Sequence, residues 1–126
     1  MREDELNVLS HAIIGSAFNV SNALGTGFLE KVYENALAHE LRKRGLFVQQ
    51  QEPIRVYYDS VVVGKYAPDL LVEQTVIVEI KAAKERNEVF FAQCLNYLKA
   101  TGLPLCLLLN FGNPEVGVSR LRSPSA

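Results

Sequence analysis

The sequence predicts a single α/β domain with its elements in the order ααβββαβ. Helical periodicity runs through the first 44 residues, short β-branched runs fill the middle, and an apolar stretch, Leu105-Cys106-Leu107-Leu108-Leu109, follows a third helical segment. At 126 residues the chain has the size of one domain with a core of its own. That domain is expected over residues 1–122, and Ser123-Pro124-Ser125-Ala126 is expected to form a disordered tail.

Leu6, Leu9, Ile13, Ala17 and Val20 recur every three or four residues, predicting an amphipathic first helix that Leu24-Gly25-Thr26-Gly27 stops. Leu29, Val32, Tyr33, Ala36, Leu37 and Leu41 predict a second helix, ending where Gly45 can take a left-handed cap and where Arg42, Lys43 and Arg44 suit the negative helix end. Strands are expected from about Phe47 to Tyr58, broken near Pro53, and from Val61 to Lys65. Two further runs, Leu70-Leu71-Val72 and Val76-Ile77-Val78, bracket a turn at Glu73-Gln74-Thr75. A third helix is expected from about Glu88 to Thr101. Gly102-Leu103-Pro104 then separates it from the Leu105–Leu109 run, which is apolar on both faces as a central strand is. A short strand near Val116 to Leu121 would complete the chain.

Composition narrows the function. The chain is 48% hydrophobic and 21% charged, in the globular range. Thirteen basic against fourteen acidic residues give a net charge of −1, which excludes a global positive field for holding nucleic acid. Any such binding must be local, and the basic residues available for it are Arg42-Lys43-Arg44, Lys81, Lys84, Arg86, Arg120 and Arg122. Cys94 and Cys106 lack the paired spacing of a zinc site and read as reduced core residues. The charged start, Met1-Arg2-Glu3-Asp4-Glu5, does not resemble a signal peptide, and no apolar run approaches a membrane span. The expectation is a cytoplasmic protein with no membrane partner.

The chemistry concentrates at Tyr66-Ala67-Pro68-Asp69, followed ten residues after the aspartate by Glu79-Ile80-Lys81. Pairing about Gln74 would put Asp69 opposite Glu79, and strand alternation puts Glu79 and Lys81 on one face with Val76, Val78 and Ile80 on the other. Ile77 is the apolar exception on the acid face. Two converging carboxylates can hold a hard divalent cation, and a neighbouring lysine can orient water and offset charge developing on phosphorus. A salt-bridged, exposed sheet face would show the same residues. In favour of the metal site, both acids interrupt strongly apolar runs, and partly buried acids need a partner, a proton or a metal.

These residues and this element order resemble the PD-(D/E)XK nuclease superfamily, whose core is a mixed sheet flanked by helices. Gly27-Phe28-Leu29-Glu30-Lys31-Val32-Tyr33 is similar to the signature of the GxxExxY proteins within it. The likeness extends from Ile13-Ile14-Gly15 through Leu37-Ala38-His39-Glu40-Leu41 to Leu108-Leu109-Asn110-Phe111-Gly112. The resemblance implies Asp69 and Glu79 as metal-binding acids, Ile80 as a backbone-carbonyl ligand and Lys81 as the catalytic lysine. It also implies Glu30 as a helix acid completing the metal shell, although an acid at a helix N-terminus is favourable without any metal. Gln93 and Tyr97, four apart on the third helix, match a Gln-x-x-x-Tyr pair of exonuclease-like members: the glutamine near metal and phosphate, the tyrosine supporting it or the nucleic acid. Core packing is the alternative for Tyr97. Where the family commonly has Glu-Val-His, this chain has Asn19-Val20-Ser21.

Together these imply a nuclease dependent on Mg2+ or Mn2+, with DNA ahead of RNA as substrate and with Lys84, Arg86 and Tyr97 contacting nucleic acid. A catalytically silent nucleic-acid-binding or scaffold subunit of the same fold is the first alternative, motivated by the small size and absent global charge. An interaction module that uses no nucleic acid is the second. A homodimer or larger complex would enlarge the binding surface in either of the first two readings.

Overall fold

The computed structural model describes residues 1–85 and 87–123. Arg86 and residues 124–126 of the expected tail therefore lie outside the described residues. Helix α1 (Glu3–Leu24) begins with three acids in its first turn, which suit the positive helix end. It buries Leu6, Leu9, Ile13, Ala17 and Val20, the stripe its periodicity predicts, and ends at Gly25 with φ of 69°. Helix α2 (Glu30–Lys43) buries Tyr33, Glu34, Leu37, Ala38 and Leu41. Leu29, expected on that stripe, is instead the residue before the helix and 81% exposed, and Val32 is also exposed. Ala38 takes up the core position because the buried face runs through 34, 37, 38 and 41.

Seven strands follow in two sheets: β1 (Val48–Gln50), β2 (Ile54–Tyr58), β3 (Val61–Tyr66), β4 (Leu70–Val72), β5 (Val76–Lys81), β6 (Leu105–Asn110) and β7 (Gly117–Arg122), with helix α3 (Glu88–Thr101) between β5 and β6. The main sheet has the order β1-β4-β5-β6-β7, and only β5 and β6 run parallel among the described strands. Five described strands precede α3, and three of them, β1, β4 and β5, belong to this sheet. The expected strands between Ile54 and Lys65 form a separate antiparallel ribbon, β2–β3.

The sheet has a helix layer on each side. Leu70, Val72, Val76, Val78, Ile80, Leu105, Leu107 and Leu109 pack with α1 and α2. Leu71, Ile77, Cys106 and Leu108 face Cys94 and Leu98 of α3. Burial on both faces is what makes β6 a continuous apolar run. Both cysteines are free and buried. Among the described residues no helix is long and apolar enough to cross a membrane.

Candidate active site

The β4–β5 ladder pairs Leu70 with Val78, Leu71 with Ile77 and Val72 with Val76. One further step of the same register brings Asp69 opposite Glu79. The turn between these strands is sharp because Glu73 and Gln74 both take φ of 52°, outside the range most side chains prefer. Asp69 sits half-buried just before β4 and is fixed at both carboxylate oxygens. Its Oδ2 accepts the Ile80 N–H at 2.7 Å, and its Oδ1 accepts from Gln51 Nε2 at 3.1 Å.

Glu79 projects from the same register level on the α3 side of β5 and is 8% exposed. Its Oε1 is buried without a hydrogen-bond partner. Burial first, and the neighbouring Asp69 second, push its carboxyl up to about 8, opposed by Lys81 and by a backbone hydrogen bond from Asp69. A buried carboxylate with an unsatisfied oxygen beside another carboxylate suits a divalent cation, because the cation compensates both the charge and the missing partner. No group of three or more His, Cys, Asp or Glu side chains converges among the described residues. The two acids are therefore an open pair in this conformation.

Lys81 shares the β5 face of Glu79 and is not ion-paired with either acid among the described residues. Its Nζ lies 4.6 Å from the centroid of the Phe90 ring, a cation–π contact with the start of α3. The chain beyond Lys81 is held from two sides. Glu30 reaches from the first turn of α2 to accept the Ala82 N–H at 3.2 Å. Asn110 uses its side-chain amide as a strand would: Oδ1 accepts the Ala83 N–H at 3.0 Å, and Nδ2 donates to the Ala83 carbonyl at 2.9 Å. Gly112 lies so close that an added Cβ would stand 2.1 Å from the Ala83 oxygen. Phe111 closes the same bracket, donating its N–H to the Lys81 carbonyl at 2.8 Å while its ring stacks on Tyr33 at 4.7 Å. Tyr33 is fully buried, and its hydroxyl donates to the Gly25 carbonyl at 2.6 Å, fastening the glycine loop that leads into Glu30.

From α3, Tyr97 stacks on Tyr66 at 3.6 Å between ring centroids. Burial and the Glu79 carboxylate push the Tyr97 hydroxyl up to about 12 and raise Tyr66 further still. Both phenols therefore stay protonated beside Glu79. Gln93 is exposed one turn before Tyr97, and Lys84 is exposed in the bend after β5. Ile80 meets Asp69 through its backbone N–H.

Sequence reasoning missed the support behind Asp69. Glu34 is 3% exposed, and its carboxylate accepts from Lys31 Nζ at 3.1 and 3.0 Å, Gln50 Nε2 at 2.8 Å and Gln51 Nε2 at 2.9 Å. Gln51 thus bridges Glu34 and Asp69, and it takes a left-handed φ of 54° to do so. The signal was available: 34, 37, 38 and 41 are one helical stripe, and only the first is charged. Tyr66, adjoining the Ala67-Pro68-Asp69 run, was likewise in view without a role.

The basic residues do not gather into one patch. Arg42 donates to Gln50 and the Val48 carbonyl, Lys43 pairs with Glu40, and Arg122 pairs with Glu3. Arg120 donates to Ser10 and Asn7 of α1. Of the expected cations among the described residues, Lys81 is the one whose charge acts on Glu79.

Comparison with known proteins agrees with this fold. The chain is similar in structure to an alkaline exonuclease, LHK-Exo, from Laribacter hongkongensis, with a TM-score of 0.56 and 15% identity over 75% of this chain. It spans 56% of the length of that exonuclease chain. A structure of LHK-Exo in complex with dAMP matches with a TM-score of 0.52 and 12% identity, covering 92% of this chain and 83% of that one. Among curated proteins none matches the sequence. The family model of the PD-(D/E)XK nuclease superfamily matches residues 7–121, and with its Pro68-Asp69 and Glu79-Ile80-Lys81 on one hairpin the chain belongs to that superfamily.

Proposed function

We propose that this protein is a metal-dependent nuclease that hydrolyses phosphodiester bonds of nucleic acid, with DNA ahead of RNA. The observation that carries the reading is Glu79: a buried carboxylate with an unsatisfied oxygen, facing Asp69, on the strand that also carries Lys81. Nucleases of this superfamily generally use divalent metal ions. Asp69 and Glu79 would hold Mg2+ or Mn2+; the Ile80 carbonyl is a further candidate ligand, and Glu30, which accepts the Ala82 N–H in this conformation, would have to swing toward the pair to join the shell. Such an ion, when bound, acts as a Lewis acid at the phosphate and lowers the pKa of an attacking water.

The chain's own residues set the rest. Ile80 N–H and Gln51 hold Asp69 in one orientation while leaving each oxygen a second lone pair. Lys81 is a mobile cation on a four-carbon stem, able to leave the Phe90 face and donate to the water or to a non-bridging phosphate oxygen. The bracket formed by Glu30, Asn110 and Gly112 keeps the backbone after Lys81 from drifting. Tyr97 and Tyr66 wall Glu79 from bulk water, and Gln93 and Lys84, both exposed, would meet the phosphate backbone.

Single- and double-stranded DNA and RNA, incubated with Mg2+ or Mn2+, test the reading. The fold neighbour that carries dAMP makes deoxyribonucleotide substrates the first to assay. Wild type is expected to cleave and Asp69→Ala and Lys81→Ala to lose about a hundredfold or more. Equal rates in all three proteins would assign the activity to a contaminant. The dispersed basic residues favour one alternative, a binding subunit that works inside a larger complex or a homodimer. Metal-independent DNA binding without cleavage of any substrate would select it.

A further inference from the structure

We infer that the cavity beside Lys81 is a nucleobase subsite that prefers a base bearing an exocyclic amino group. The inference rests on the nuclease reading and adds to it where the base next to the scissile phosphate goes. The cavity measures about 220 Å³ and lies between the bend after β5, the start of α3 and the β6–β7 connection. Pockets for whole ligands begin at roughly 300 Å³, so this one suits a single ring system rather than a dinucleotide. Asp69 and Glu79 do not line it. Lys81 does, and is the residue that the cavity and the acid pair share.

Its walls have the chemistry of a flat heterocycle. Phe90 and Phe91 line it with aromatic surface, the Phe90 ring carrying Lys81 Nζ over it, so a base that stacks on Phe90 takes either the place of the lysine or the ring's other face. The edges are neutral amides. Asn113 makes no hydrogen bond among the described residues, and Asn87 commits only its Oδ1, to the Val89 N–H at 2.9 Å. Asn110 also lines the cavity but spends its amide on Ala83 and Gly112. Glu85 is the one acid on the wall among the described residues, and its carboxylate opposes a second phosphate inside the cavity and accepts from an exocyclic amine. Thymine and uracil lack that amine. With Lys81 shared between the cavity and the acid pair, the cationic end meets the phosphate while the amide and carboxylate edges meet the base.

The test is an NMR titration of labelled protein in EDTA, so that nothing turns over, with deoxyadenosine 5′-monophosphate, thymidine 5′-monophosphate and inorganic phosphate as separate probes. The Phe90 and Phe91 ring signals and the Asn113 side-chain amide are expected to shift saturably with the adenine nucleotide, several-fold more weakly with the thymine nucleotide, and not with phosphate. Phe91→Leu and, independently, Ser119→Leu, which fills the cavity from β7, are each expected to weaken adenine-nucleotide binding about tenfold. Unchanged binding in a folded Ser119→Leu protein, or shifts confined to the surroundings of Asp69 and Glu79, would overturn the subsite. So would equal affinity for the two nucleotides, as regards the amino-group preference. The two claims fail separately: cleavage without any cavity response removes the subsite alone, whereas cavity binding without cleavage of any substrate removes the nuclease reading alone.

Discussion

Glu79→Gln keeps the side chain's size and removes its charge, so it isolates what the buried carboxylate costs the fold. The carboxyl is raised from 4.5 to about 8 in the folded, metal-free protein, a difference of about 3.5 pH units. At about 1.4 kcal/mol per unit this sets a ceiling of ~5 kcal/mol. Water entry and relaxation, represented by an effective dielectric of about 20, bring the expected figure to about 2–3 kcal/mol. The direction follows from proton counting. Between 4.5 and about 8 the unfolded chain has released a proton that the folded chain retains, so stability is complete below 4.5 and falls as pH rises through 8. Urea unfolding in EDTA at pH 5, 7 and 9 reads this directly. Wild type is expected to lose stability across the series relative to Glu79→Gln, with the gap between them widening toward pH 9. Saturating Mn2+ or Mg2+ is expected to close that gap for wild type only, since the ion binds the deprotonated acid and stabilises by about 2.7 kcal/mol at a hundred times its dissociation constant. Parallel pH profiles for the two proteins in EDTA would refute the reasoning, because Glu79 would then be no more costly to ionise than an exposed glutamate.

Glu34→Ala leaves the Gln50 and Gln51 amides without their shared acceptor, and about 3 kcal/mol of stability is expected to go with it, measured by thermal or urea unfolding. Glu34→Gln, which retains an acceptor, is expected to lose less, and equal losses in the two variants would contradict the network. Gly112→Ala places a Cβ 2.1 Å from the Ala83 oxygen, so the segment after Lys81 must move. An overpacking cost of about 1–3 kcal/mol and a fall in cleavage rate are expected together. Tyr33→Phe removes only the hydroxyl that donates to Gly25. About 1 kcal/mol is the expected loss, with faster amide exchange in the 25–29 loop as the local readout.

The hairpin that carries the site was legible because its information is local: a three-residue turn between β-branched runs sets the register, and the register sets Asp69 against Glu79. The α1 stripe and the central strand β6 were legible for the same reason. The separation of β2–β3 from the main sheet was not, since β1 pairs with β4 across the intervening ribbon, and alternation within a strand does not name its partner. The role of Glu34 was not legible because its place on the buried stripe of α2 does not name its partners, Gln50 and Gln51, which β1 and the residue after it bring from beyond the helix. The resting place of Lys81 over Phe90 depends on where α3 docks, which neither the strand pattern nor the helix pattern contains.

The ribbon leaves the main sheet at Gln51 and returns at Asp69, and those two residues are joined by a hydrogen bond from the Gln51 N–H to the Asp69 carbonyl at 3.2 Å as well as through their side chains. Everything between them is a closed excursion whose ends already meet. Its length is then a nearly free variable: doubling such a loop costs only about 0.6 kcal/mol. Evolution or an engineer can lengthen, shorten or replace the ribbon while the sheet register is preserved, and new recognition elements grafted there would arrive one residue from the acid pair. The same joint makes the acid pair mechanically accountable to the ribbon, since a partner pulling on Tyr57 or Tyr58 at its exposed end pulls on a hairpin whose other strand ends at Tyr66, stacked on Tyr97 beside Glu79.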